Sequence, residues 1–189
     1  AFLIADVSGK GIPAAMFMME SKAVIKNLAR SLLEPDEIIA KTNDNLSQNN
    51  SAMMFVTCWF GLLNFKTGHV KYVNAGHNSP LIYRKGKGYE YLNQKRNLVL
   101  GAMEGTKFKC EEFDLKPGDR IYLYTDGVTE ATRNDKTLYG EDRLHDYLNK
   151  NKNLNLESTL LGVKEDIDLF IDGADQFDDI TMLAVEYKG

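Results

Sequence analysis

The sequence predicts an α+β fold in which antiparallel sheets are covered by helices. Helical stripes occupy residues 13–48 and 141–172, hairpin signals fill the stretch between them, and the two kinds come in blocks rather than in strict βαβα alternation. Of the 189 residues, 43% are hydrophobic and 26% charged, the balance of a globular chain able to bury a core of its own. Neither an internal repeat nor a dividing linker is visible, so a single domain over residues 1–189 is expected.

Residues 2–5 form an apolar run ending at Asp6, which reads as a buried strand. Because Ala1-Phe2-Leu3-Ile4-Ala5 resembles the middle of such a strand, the chain is read as a fragment of a longer protein. Gly9 and Gly11 then break regularity, and Pro13 suits the first turn of a helix. Phe17, Val24, Ile25, Leu28 and Leu32 repeat on one helical face, predicting a helix over 13–33. A second helix follows Glu34 with Pro35 near its start and Ile38, Ile39, Thr42 and Leu46 inward; the Asn-rich stretch to Ser51 ends it.

The period then changes. Residues 55–65 and 69–75 are rich in aromatic and β-branched side chains around Lys66-Thr67-Gly68, an antiparallel hairpin. Residues 81–83 and 89–92 flank Lys85-Gly86-Lys87-Gly88, a second hairpin, and 108–115 and 120–124 flank Lys116-Pro117-Gly118-Asp119, a third. Helices over 141–150 and 156–172 and a last strand over 180–186 complete the prediction.

Several function classes fall away. A net charge of −4 gives no whole-chain attraction to nucleic acid. Cys58 and Cys110 form no C-x-x-C pair, which points to a reducing, cytoplasmic compartment rather than a disulfide framework. No apolar run approaches the ~20 residues that span a bilayer. Ser8-Gly9-Lys10-Gly11 fails the Walker pattern and lacks the third glycine of G-x-G-x-x-G. There is no G-x-S-x-G elbow, and His69, His77 and His145 show no metal-binding spacing. His77, in Asn74-Ala75-Gly76-His77-Asn78, suits a loop-bracing role.

What remains is acidic. Asp6 follows the first strand, Asp126 follows residues 120–125, and Asp178-Asp179 precede the last strand. A carboxylate at a strand end is rigidly held, and several converging there would suit Mg²⁺ or Mn²⁺, which bind few carboxylates and keep positions for phosphate oxygens. Each also has a plain structural reading: Asp126-Gly127 is a turn dipeptide, and Asp6 and Asp178-Asp179 can simply end or enter strands.

Taken in order, Ala5-Asp6-Val7-Ser8-Gly9-Lys10-Gly11-Ile12-Pro13-Ala14-Ala15, Tyr72-Val73-Asn74-Ala75-Gly76-His77-Asn78-Ser79-Pro80, residues 118–131 around Thr125-Asp126-Gly127-Val128-Thr129-Glu130-Ala131, and Asp178-Asp179-Ile180-Thr181 resemble the metal-dependent serine/threonine protein phosphatases, the PPM family, in its SpoIIE/RsbU branch. The resemblance runs from end to end. It implies an αββα sandwich of two antiparallel sheets flanked by helices, with two Mn²⁺ or Mg²⁺ ions at one edge. It implies Asp6 as a bridging ligand, the Val7 carbonyl beside it, and Asp126 and Asp178 as further ligands, with Asp179 toward metal-bound water. The implied chemistry is in-line attack on phosphorus by a metal-bridging hydroxide, with no protein nucleophile.

The family's acidic G-D-x-[FY]-D motif would lie upstream of Phe2, so the ligand set here is expected to be incomplete; no histidine follows Asp6 to serve as general acid. The resemblance further implies a phosphoserine or phosphothreonine substrate on a STAS-domain anti-sigma-factor antagonist, an upstream sensor domain that can tether the parent protein to a membrane, and a homodimer. Met16-Phe17-Met18-Met19 is expected to join that regulatory surface. The alternative is a catalytically silent phosphatase-like module that binds a partner.

Overall fold

The computed structural model describes residues 1–48, 50–176 and 178–189. Along the chain run β1 (Phe2–Val7), α1 (Ile12–Leu28), α2 (Pro35–Ser47), β2 (Val56–Leu63), β3 (His69–Ala75), β4 (Leu81–Arg84), β5 (Gly88–Tyr91), β6 (Glu111–Asp114), β7 (Arg120–Tyr124), the single turn α3 (Asp126–Thr129), α4 (Gly140–Lys150), α5 (Leu156–Ile171) and β8 (Met182–Glu186). Two antiparallel four-stranded sheets result, ordered β1-β2-β3-β6 and β5-β4-β7-β8, each in its own compact unit: residues 1–77 with 94–114, and residues 78–93 with 115–189.

In the first unit, α1 and α2 cover one face of their sheet. Phe17 and Ile25 from α1 and Ile38, Ile39 and Leu46 from α2 pack with Val56, Cys58, Phe60, Val73 and Ala75 of the strands and with Leu100 and Phe108. Strand alternation sends Trp59 the other way, where it stacks on Tyr72 at 5.1 Å. Helix α1 stops at Leu28, short of the expected Leu33, because Arg30 and Ser31 tighten into bonds to the carbonyls of Asn27 and Leu28. Helix α2 starts as predicted at Pro35, where Glu34 and Glu37 close a capping box. Of the Asn-rich stretch expected to end α2, residue 49 lies outside the described residues.

Cys58 is fully buried in this core, and burial pushes its thiol up to about 12 from the ordinary 9.0. The unfolded thiol ionises first as pH rises, so its contribution to stability is intact below pH about 9 and is lost between about 9 and about 12. Urea midpoints measured across that window should fall more steeply for the native sequence than for Cys58→Ala; equal slopes would overturn this.

In the second unit, Leu81, Tyr89, Tyr122 and Tyr124 of the sheet pack with Val128, Tyr139, Leu144, Leu148, Val163, Ile167 and Phe170. Asn155 caps α5 by accepting from the Ser158 amide at 2.8 Å, and Asp172, in the left-handed region at φ 50, ends it. The first two predicted hairpins form, β2 with β3 and β4 with β5. The third does not: β6 pairs with β3, whereas β7 pairs with β4 and β8. The turn at 116–119 is real, but its Asp119 carboxylate accepts from Arg84 at 2.8 Å and from the Lys85 and Lys116 amides, which commits the turn to the end of β4. Among the described residues no helix is long and apolar enough to cross a membrane.

Candidate metal centre

Asp126 is the first residue of α3, immediately beyond Thr125, which leaves β7 in extended conformation. Thr125 splices this corner to the segment before β8. Its amide donates to the Thr181 carbonyl at 3.0 Å, its hydroxyl donates to the Asp179 carbonyl at 3.1 Å, and the hydroxyl oxygen accepts from the Thr181 amide at 3.0 Å. Residues 178–179, far away in sequence, are thereby fixed beside residues 126–127. The approach is so close that a Cβ on Gly127 would stand 2.3 Å from the Asp179 carbonyl oxygen.

The acidic side chains feel one another here. The Glu130 carboxyl lies above the usual carboxylate range, first because it loses solvent and then because of the charges on Asp126 and Asp178. Oδ1 of Asp126 is buried and has no hydrogen-bond partner. A buried carboxylate oxygen left without a donor is costly, and a bound cation is one group that would satisfy it. Asp178 accepts from the Asp179 amide through Oδ1 at 2.9 Å, while Asp179 itself is exposed.

In the first unit, Asp6 lies inside β1 rather than after its end, in register with Thr57; Val7 stands opposite Val56. The Thr57 hydroxyl lies 2.8 Å from Nδ1 of His77. His77 is buried and clamped by Asn74, whose Oδ1 accepts from the His77 amide at 2.7 Å and whose Nδ2 donates to the His77 carbonyl at 3.0 Å. His77 therefore braces the loop after β3, as its sequence context suggests. The loop after β1 is held by paired bonds between Ser8 and Phe55, and Gly9 and Gly11 take positive φ to turn it into α1.

The structure thus brings Asp126 and Asp178 together in the second unit and places Asp6 and Val7 side by side in the first. Thr125 and Glu130 belong to the same corner as Asp126. The sequence marks neither, since Glu130 is exposed and tied to the corner by the charges of Asp126 and Asp178, and Thr125 by contacts across 54 to 56 residues. Among the described residues no three His, Cys, Asp or Glu side chains form a ready cage. The donor set nevertheless fits a hard divalent ion of the Mg²⁺ type, which is commonly held by one or two carboxylates and otherwise by water.

Residues 1–188 match the family model described as Stage II sporulation protein E (SpoIIE). Phosphoserine phosphatase RsbU of Bacillus subtilis is 34% identical over 128 residues, covering 68% of this chain and 38% of that protein. The chain spans between a third and two-fifths of the length of the curated relatives it matches. Among solved structures, the SiaA-PP2C domain of Pseudomonas aeruginosa superposes with a TM-score of 0.82 at 21% identity, over 98% of this chain and 74% of that one. The catalytic domain of the serine threonine protein phosphatase PstP, in complex with two manganese ions, superposes with a TM-score of 0.70 at 13% identity, over 97% and 86%.

Proposed function

The chain belongs to the SpoIIE family, in the PPM-type branch that includes RsbU, and from that premise we propose that it is a metal-dependent protein phosphatase acting on phosphoserine or phosphothreonine. The observation that carries this reading is the orphaned, buried Oδ1 of Asp126 in a corner shared with Asp178. Asp6, the Val7 carbonyl, Asp126 and Asp178 are the residues that would hold Mn²⁺ or Mg²⁺. When bound, the metal supplies Lewis-acid charge at the phosphoryl oxygens and an activated water.

The chain's own residues do the rest. Thr125 fixes the relative position of Asp126 and Asp178 through three hydrogen bonds. Gly127 leaves room for that approach, and the Ser8–Phe55 bonds hold the chain just beyond Asp6 and Val7. Rigid placement of charge before the reaction is what lowers the barrier in such a site.

The two units are read as one working domain. The substrate is read as a regulatory phosphoprotein, a STAS-domain anti-sigma-factor antagonist in the cytoplasm, with an upstream sensor domain governing activity. Met16, Met18 and Met19 project from α1 into solvent while Phe17 is buried, and this face suits a regulatory partner or a homodimer. A silent partner-binding module is the second reading, favoured by the lack of a three-residue ligand cage among the described residues.

Hydrolysis of p-nitrophenyl phosphate with and without Mn²⁺ separates the two. The test compares this chain with one extended upstream through a G-D-x-[FY]-D motif. Mn²⁺-dependent turnover, at least in the extended chain, is the expected result. No turnover in either, with no Mn²⁺-induced rise in melting temperature, would establish the silent module instead.

A further inference from the structure

Between β5 and β6 the chain runs through residues 92–110 without a helix or strand of its own, longer than the ~12–15 residues at which a connection usually has a function. Within the first unit this connection is firmly held. Leu100 exchanges both backbone bonds with Val56, at 2.8 and 2.9 Å, and Val56 stands opposite Val7, next to Asp6. The Gly101 amide donates to Asn43, the Gly105 amide donates to Asp44, and Asn97 bonds the backbone of Asn74 and Lys109. A loop so anchored holds in place the backbone from which its outward side chains project.

Those outward side chains are cationic. Lys95, Arg96, Lys107 and Lys109 are all exposed, against the single acid Glu104 between residues 94 and 110, in a chain whose net charge is −4. Phe108 is buried and so turns Lys107 and Lys109, on either side of it, outward together. The Lys109 amide donates to Asn97 Oδ1, which brings the 107–109 run beside the 95–97 run. Lys95, Arg96 and Lys107 make no ion pair among the described residues, and Lys109 reaches only Glu111, at 3.7 Å.

We propose that this anchored cationic loop is a docking surface for the acidic face of the phosphoprotein substrate. The proposal rests on the phosphatase reading, and it adds that substrates are selected by carboxylates flanking the phosphoserine. A nucleic acid is the poorer match, because no exposed aromatic ring stands among these cations to stack a base. Exposed charge of this kind acts mainly on encounter and selectivity, and its effect is screened by salt.

The test is binding rather than turnover. Two fluorescein-labelled phosphoserine peptides, one flanked by glutamates and one by glutamines, are titrated with the protein and followed by fluorescence anisotropy. The acidic peptide is expected to bind roughly tenfold tighter at low salt, and the double variant Lys107→Glu with Lys109→Glu should erase that preference. Lys95→Gln with Arg96→Gln serves as a second, milder variant should the reversal disturb folding. Equal binding of the two peptides, an unchanged preference in both variants, or displacement of the acidic peptide by a single-stranded oligonucleotide at lower concentration than by free acidic peptide would each overturn the proposal. Hydrolysis of p-nitrophenyl phosphate is read separately. Its absence in both this chain and the upstream-extended chain, beside an intact acidic preference, removes the phosphatase reading and leaves the docking surface standing.

Discussion

Asp126→Asn is expected to lower Mn²⁺-dependent turnover by about a thousandfold while leaving the metal-free fold at least as stable as the native one. The two effects have one cause. Oδ1 of Asp126 is buried with no donor, and the charges of Asp126 and Asp178 act on the same corner, as the raised Glu130 carboxyl records. Without a cation this arrangement is destabilising, because a buried carboxylate oxygen has lost its water and gained nothing. A carboxamide carries no charge and loses less on burial. The metal-free variant should therefore melt at or above the native temperature, by up to about 1–2 kcal/mol of added stability.

Mn²⁺ reverses that order. A ligand present at about a hundred times its dissociation constant stabilises the folded state by about 2.7 kcal/mol, roughly 5–10 °C for a domain of this size. The native chain, or its upstream extension, should show that rise and the variant should lose most of it. Near-native turnover in the variant, or an unchanged response to Mn²⁺, would sink the assignment of Asp126 as a ligand. A site that trades stability for function in this way is expected wherever charge is stored for a ligand.

The elements legible in the sequence are those specified by their own residues. The stripe from Phe17 to Leu28, the capping box at Glu34 and Glu37, and the Lys66-Thr67-Gly68 turn each contain their own instructions, and each forms. The third hairpin failed for the opposite reason. Lys116-Pro117-Gly118-Asp119 specifies a turn, but which strand lies beside β7 is decided by Arg84 and Lys85, more than thirty residues away, where they hold Asp119. Each of the two units is assembled from two separated segments, so no linker in the sequence marks their boundary. At the candidate site, the residue types were readable and part of their assembly was not. Asp126 and Asp178 stand out as carboxylates at strand ends, yet only Thr125, reaching 54 to 56 residues along the chain, shows that these two share a corner.

Gly127→Ala should be the most damaging single-methyl change in that corner. A Cβ at residue 127 would stand 2.3 Å from the carbonyl oxygen of Asp179 and 2.9 Å from its carbonyl carbon. Both are backbone atoms, and the segment they belong to is held by Thr125, so it cannot yield by rotating a side chain. Relief requires residues 178–181 to move off the end of β7, which breaks the Thr125 bonds and separates Asp178 from Asp126. The expected cost is about 2–4 kcal/mol, a drop on the order of 10 °C in melting temperature. Turnover should fall with it even at temperatures where the variant is fully folded, because the carboxylates no longer share a corner. Thr125→Val makes the distinguishing comparison. It keeps residue 127 open but removes the hydroxyl, so it should lose part of the stability without the steric displacement and retain more of the Mn²⁺ response than Gly127→Ala. If Gly127→Ala folded with native stability and bound Mn²⁺ normally, the close packing of residue 127 against Asp179 would have no part in holding the site together.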